Sequence, residues 1–251
     1  DTATTEFSIK TGKTDTLTLP FRPVARFGVS FEAAKATWLR ASFGQGYRFP
    51  SVAEKYIRTS ASGLEIYPND TLQPETGMSA EFGIKQGVKC GKWLGYIDVS
   101  AFWMEYKDMM EFVFGQWGNA FGPNPDPFFG LGFKSVNVGT TRITGIDVSV
   151  LGQGKVGNVG VNLLAGYTYM NPQSLIFNLA KDTLTNTSKE NILKYRYKHI
   201  AKADVEFVWK KLAFGTSMRY NSFMENIDRF FYDASVLLGG IKEYREQFNT
   251  G

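Results

Sequence analysis

The chain is poor in the residues that most often carry chemistry. It has one cysteine, Cys90, and one histidine, His199, among 251 residues. A single cysteine excludes an intramolecular disulfide framework and a multi-cysteine metal site. Cys90 sits in the Val88–Lys92 segment without a neighbouring general base, so it reads as an inert thiol. His199 has no second histidine or cysteine with which to build a zinc site or a histidine-based triad, and reads as a polar residue at the start of a strand. Long apolar runs are also missing. Nothing approaches the roughly 20 residues of a transmembrane helix, which excludes a helical membrane protein. The 28 basic and 24 acidic residues leave a net charge of +4 with no basic run, so nothing points to nucleic acid. Asp98 and Glu105 lack a spacing suited to acid–base work, and Gly152-Gln153-Gly154 reads as a turn because no helix follows it. The expectation is a protein that is not an enzyme, with no catalytic residues, no metal and no cofactor.

Glycine and aromatics are plentiful, with 26 glycines and 15% aromatic residues. Mean hydropathy is −0.21. A barrel strand alternates apolar and polar residues, so that average fits a soluble all-β protein and an outer-membrane barrel equally. The alternation itself is the strand signal. It recurs about eight times, as in Phe27, Val29 and Phe31, or Met78, Ala80, Phe82 and Ile84, or Ile97, Val99, Ala101 and Trp103. In the second half it continues through Ile146, Val148 and Val150, Val159 to Tyr169, Ala203 to Trp209, and Leu212 to Tyr220. No segment has a helical period.

The links between these strands alternate short and long. Short ones fall near Ala33–Ala36, Lys89–Lys92, Gly152–Gly157 and Lys210–Lys211; long ones cover Gly46–Gly77, Gly115–Lys134, Asn171–Leu193 and Asn221–Thr250. A transmembrane barrel has short turns at one rim and long loops at the other, whereas loops beyond ~12–15 residues are uncommon in compact domains. Ten steps from Val159 to Tyr169, at ~3.3 Å each and tilted by about 40°, span about 25 Å, the height of such a barrel's apolar band. Trp93 and Trp209 near the short turns, and Tyr47, Tyr169 and Tyr220 near the long loops, read either as an interfacial girdle or as ordinary strand aromatics. Lysines mark the short links at Lys35, Lys89, Lys92, Lys155, Lys210 and Lys211, which suits solvated turns.

Four stretches carry a family resemblance. They are Ala41-Ser42-Phe43-Gly44-Gln45-Gly46-Tyr47-Arg48-Phe49-Pro50-Ser51; Asn69-Asp70-Thr71-Leu72-Gln73-Pro74-Glu75; Ser135-Val136-Asn137-Val138-Gly139 with Gly145-Ile146-Asp147; and Gly240-Ile241-Lys242-Glu243-Tyr244-Arg245. In this order they resemble the barrel of TonB-dependent outer-membrane receptors, with Asp147 where that family usually has glutamate. The resemblance implies an all-β, antiparallel transmembrane barrel, of which residues 1–251 would be about eight consecutive strands out of about 22. The start Asp1-Thr2-Ala3-Thr4-Thr5 shows no signal peptide, so the chain is expected to be mature or a fragment, without the plug domain and the last strands.

By the same resemblance the protein sits in the outer membrane of a Gram-negative bacterium. It would import a scarce nutrient such as a ferric siderophore or cobalamin, driven by TonB acting on a plug. Implied partners are outer-membrane lipid, TonB through an absent plug, a small-molecule nutrient and other chains that complete the barrel. A passive porin or structural barrel subunit, an outer-membrane hydrolase and a soluble β-sandwich stay open as alternatives. Ligand-binding residues are expected in the long loops: Arg48, Tyr56, Arg58 and Tyr67, and Trp117 and Phe121 in a proline-punctuated loop that also holds Phe128, Phe129 and Phe133. Guanidinium groups suit anionic ligands, and exposed aromatics suit stacking. Arg48 has a second reading as a structural turn residue.

Overall fold

The computed structural model describes residues 4–8, 14–18, 22–61, 64–178, 185–233 and 241–248. Its strands in chain order are β1 (Thr4–Ser8), β2 (Thr14–Thr18), β3 (Arg26–Ala34), β4 (Thr37–Arg48), β5 (Thr59–Ala61), β6 (Leu64–Tyr67) and β7 (Glu75–Cys90), followed by β8 (Trp93–Lys107), β9 (Met110–Gln116), β10 (Leu131–Asn137), β11 (Thr141–Val156), β12 (Val159–Ser174), β13 (His199–Trp209) and β14 (Leu212–Asn221). Short helices α1 (Val52–Tyr56), α2 (Arg229–Asp233) and α3 (Ile241–Phe248) lie between or after them.

Eight strands form one antiparallel sheet in the order β3-β4-β7-β8-β11-β12-β13-β14. Register places one apolar row straight across it: Phe31, Leu39, Ile84, Val99, Val148, Tyr167, Ala201 and Tyr220. One residue along, on the other face, the row reads Ser30, Arg40, Gly83, Ser100, Asp147, Thr168, Ile200 and Asn221. Because side chains alternate with period two, the sequence pattern is converted directly into an apolar face and a largely polar face. The apolar face is uncovered: Phe27, Phe31, Phe82, Phe214 and Met218 are all exposed.

The polar face is cross-linked. Arg40 on β4 reaches over β7 to Asp98 on β8 at 2.6 Å and also meets Glu81 at 3.1 Å. Gly83 lies under that guanidinium, where a Cβ would stand 2.8 Å from its central carbon. Thr168 donates to Asp147 at 2.7 Å, and Asn162 donates to Glu206 at 2.7 Å. Gly145 is needed for a harder reason, since a Cβ there would fall 2.2 Å from the Tyr169 carbonyl oxygen and 2.4 Å from the Phe102 ring. Backbone cannot yield as a flexible side chain can. Gly145→Ala is therefore expected to destabilise the folded sheet by about 1–3 kcal/mol, read as a lower urea midpoint in detergent; an unchanged midpoint would refute this.

The four short connections are tight turns at Lys35-Ala36, Gly91-Lys92, Gly157-Asn158 and Lys210-Lys211. The expected turn at Gly152-Gln153-Gly154 is corrected: all three residues lie inside β11, and the turn follows at Gly157. Gly154 makes room for Trp93, whose ring would be 2.4 Å from an added Cβ, and Gly152 pairs with Gly95. Strand starts and ends move outward too, with β7, β11 and β12 each running 16 residues.

The long connections are folded rather than open. The β8–β11 hairpin bends at Asp108 (φ 53°) and Gly139 (φ 82°), then continues beyond the rim as β9 and β10. These join β5 and β6 in a separate four-stranded sheet, in which β6 runs parallel to β10. Among the described residues most of the buried apolar side chains lie in this loop layer: Tyr67, Leu72, Met110, Phe114, Ile192, Leu193 and Ile227. The sheet wall contributes Val161 alone to that set.

Candidate functional site

The loop layer is anchored by the sequence stretches that stood out as motifs. Arg48, at the end of β4, directs Nη1 to Glu54 and Nε to Glu75, both at 3.1 Å. The other Glu75 oxygen accepts the Met110 backbone N–H at 2.8 Å, tying β7 to β9. Ser51 and Glu54 form a reciprocal capping box that starts α1, with the Ser51 N–H donating to Glu54 at 2.7 Å. Tyr47 and Phe49 pack edge to face, 4.4 Å apart. Leu72 is 1% exposed, and Asn69 donates to the Ser135 carbonyl at 2.8 Å. Asn137 accepts the Gln73 N–H at 2.8 Å and donates to the Gln73 and Asp108 carbonyls. Three of the four motifs thus meet in one clasp at the rim. The fourth is helical over Ile241–Phe248, where Arg245 lies 4.3 Å over the Phe223 ring; Gly240 lies outside the described residues.

Burial alone would raise the Glu54 carboxyl. The Ser51 N–H and hydroxyl and the Arg48 guanidinium outweigh it and hold Glu54 below its ordinary value. A carboxyl depressed on folding contributes stability above its unfolded value, and that stability is lost as pH falls through the folded value. The clasp is therefore expected to resist protease at pH 6 and to be nicked after α1 at pH 3. Equal nicking at both pH values would refute this.

Of the residues expected to bind ligand, two come together, Arg58 and Tyr67. Arg58 pairs with Glu65 at 2.8 Å and Asp126 at 2.6 Å, and its guanidinium lies 4.8 Å over the Tyr67 ring. Arg58, then the Asn119 N–H, holds the Asp126 carboxyl below its usual range. Tyr67 is buried and its hydroxyl has no hydrogen-bond partner among the described residues. Trp117, directly after β9, donates to the Val113 carbonyl at 3.3 Å and carries the Lys134 ammonium 5.4 Å over its ring. Arg48 stays inside the rim clasp, which fits its structural reading. Tyr56 closes α1 beneath the Lys55 ammonium.

The aromatic loop divides. Phe133 stacks on Phe112 at 4.8 Å and joins Phe114, Phe230 and Phe231 in a packed cluster. Phe121, Phe128 and Phe129 point to solvent, at 87%, 60% and 66% exposure. Asp126, Glu65 and Lys134 were not singled out as site residues, and no local pattern marks them, because their partners lie on other loops.

A second charged group ties the later loops together. Asp228, 3% exposed at its side chain, pairs with Lys194 and accepts the Tyr195 hydroxyl at 2.7 Å. Burial, and then the Asp228 carboxylate, push the Tyr195 phenol above its ordinary value. Asn226, 1% exposed, donates to the Ile192 carbonyl at 2.6 Å.

This geometry has counterparts. The chain is 26% identical over 148 residues to hemoglobin and hemoglobin-haptoglobin-binding protein A of Haemophilus influenzae, covering 57% of this chain and 13% of the relative. Its fold is similar to the Serratia marcescens hemophore receptor HasR, solved with its hemophore HasA and heme, at TM-score 0.55 and 15% identity, over 86% of this chain and 35% of that one. It is also similar to the copper transporter OprC at TM-score 0.51 and 16% identity, over 86% of this chain and 28% of that one. The chain therefore spans about a third or less of the length of each of these proteins. Residues 7–241 match the family described as TonB dependent receptor-like, beta-barrel. The chain belongs to the TonB-dependent receptor β-barrel family.

Proposed function

We propose that this chain forms part of the wall of an outer-membrane transporter that imports a scarce nutrient in a TonB-dependent manner. The observation that carries the reading is the one-sided apolarity of the eight-stranded sheet, combined with folded loops at one rim and tight turns at the other. An uncovered face holding Phe31, Phe82, Phe214 and Met218 suits lipid and supports a position in the outer membrane of a Gram-negative cell. The polar face, with Arg40, Glu81, Asp98 and Asp147, would line the lumen. Strand edges cannot stay unpaired in lipid, so β3 and β14 would be joined by further strands, and residues 1–251 act as a partial barrel domain. A plug elsewhere in the receptor would connect it to TonB.

The ligand would meet the loop layer first at the exposed Phe121 and at Trp117, and then at the outer side of the half-exposed Arg58 that covers the Tyr67 ring. Named cargoes among the relatives include heme and copper. The reading for this chain is a metal-bearing nutrient of the ferric siderophore, heme or cobalamin kind, with no catalytic step. Uptake of radioiron, supplied as heme or as a ferric siderophore, should depend on this receptor and stop in cells lacking TonB. Undiminished uptake without TonB would instead favour a passive barrel.

A further inference from the structure

Glu111 sits on the face of β9 that turns away from the phenylalanine cluster. Its side chain is only 13% exposed, yet its one hydrogen-bonding contact among the described residues is the Arg196 guanidinium, 3.5 Å from Oε1. That distance is at the outer limit of a hydrogen bond. Among the described residues the second carboxylate oxygen accepts nothing. Burial pushes the Glu111 carboxyl above its usual range, and the Arg196 and Lys194 charges oppose that push without cancelling it. A carboxylate this enclosed ordinarily gathers several donors. Here one acceptor position is held open.

Glu111 lines a cavity of about 320 Å³ between β9, β10 and the later loops. Val113, Val136, Val138, Ile192 and Leu193 supply much of its wall. Three of the other polar groups on the wall are already taken: Lys194 by Asp228, Asn137 by the Gln73 and Asp108 backbone, and Asn226 by the Ile192 carbonyl and the Ser188 N–H. The volume is at the lower end of small-molecule pockets, roughly 300–1,000 Å³. One carboxylate among aliphatic walls is too few oxygens for a hard metal ion, which takes about six or more. It matches an ammonium group carried on a hydrocarbon body.

We propose that this cavity is a binding site for a small organic cation, a protonated amine seated on the free oxygen of Glu111 with its apolar body against the valine, isoleucine and leucine wall. The site does not depend on the import reading, because it follows from the cavity and its unpaired acceptor.

The test is calorimetric titration of the intact receptor, purified in detergent, with phenethylammonium. Saturable binding at one site is expected. Glu111→Gln, which keeps the shape and removes the charge, should weaken it at least tenfold. Val136→Trp, which fills the cavity, should abolish it. The thermal midpoint of each variant reports that the fold is retained, and 3-phenylpropionate, with a carboxylate on a similar body, should not bind. The proposal is overturned by absence of saturable phenethylammonium binding, by equal binding to folded Glu111→Gln, or by 3-phenylpropionate binding as tightly as the amine.

Discussion

Asp228→Ala is expected to cost the loop layer about 3–5 kcal/mol, the usual penalty when one partner of a buried ion pair is removed and the other stays charged. Lys194 is 12% exposed at its side chain and Asp228 3%, so the abandoned ammonium would have little water to turn to. The Tyr195 hydroxyl would lose its acceptor in the same step. Asp228→Asn should recover part of the loss, because an amide oxygen still accepts from Tyr195, but it cannot neutralise Lys194. Replacing both partners at once, as Lys194→Met with Asp228→Leu, should fall much nearer to the parent than Asp228→Ala, since no charge is then left unpaired. Hydrogen exchange at residues 185–198 and 222–233 reads these differences locally, where a global melt would average them with the sheet. A double variant as exchange-labile as Asp228→Ala would show that packing, not charge, is what the site supplies.

The second large effect is on the wall. Val148 lies midway along β11 on the apolar face, in the row that runs from Phe31 to Tyr220. Val148→Arg should destabilise the receptor in lipid vesicles by about 2–4 kcal/mol, the cost of arginine near the bilayer midplane on a barrel's lipid side. Ser149→Arg, one residue along and on the opposite face, should cost much less, because a lumen-side guanidinium keeps access to water and to polar neighbours. The contrast between adjacent positions is the informative quantity, since both variants introduce the same side chain at the same depth of one strand. Equal penalties for the two would contradict assignment of the apolar face to lipid.

These two predictions fall on opposite sides of what can be read along the chain. The wall was legible because its signal is local. Alternation in Phe27–Phe31, Met78–Ile84 and Ile97–Trp103 sets which side chains share a face, and the register only extends each row to the next strand. The misplaced turn at Gly152–Gly154 shows the limit of local reading. Glycine marks a tight turn and also a close approach, and only the position of Trp93 on the neighbouring strand decides which applies.

The loop layer was legible in its anchors and not in its interior. Arg48, Leu72, Glu75 and Asn137 stand in recurring motifs, so their importance was visible while their contacts were not. Arg58 was expected to offer free donors to a ligand; it is instead engaged by Asp126, 68 residues away, and by Glu65. The Lys194–Asp228 pair spans 34 residues, and the parallel pairing of β6 with β10 joins two loops across β7, β8 and β9. No periodicity encodes such partners. By itself, then, the sequence determined the eight wall strands, their faces and the alternation of short and long connections, because the backbone pleat imposes a period of two on every strand. Only the tertiary structure decided which charges meet above the rim, which aromatics pack and which stay exposed, and where Glu111 is left with an open oxygen. Those outcomes depend on contacts between distant loops, whose energies no stretch of adjacent residues contains.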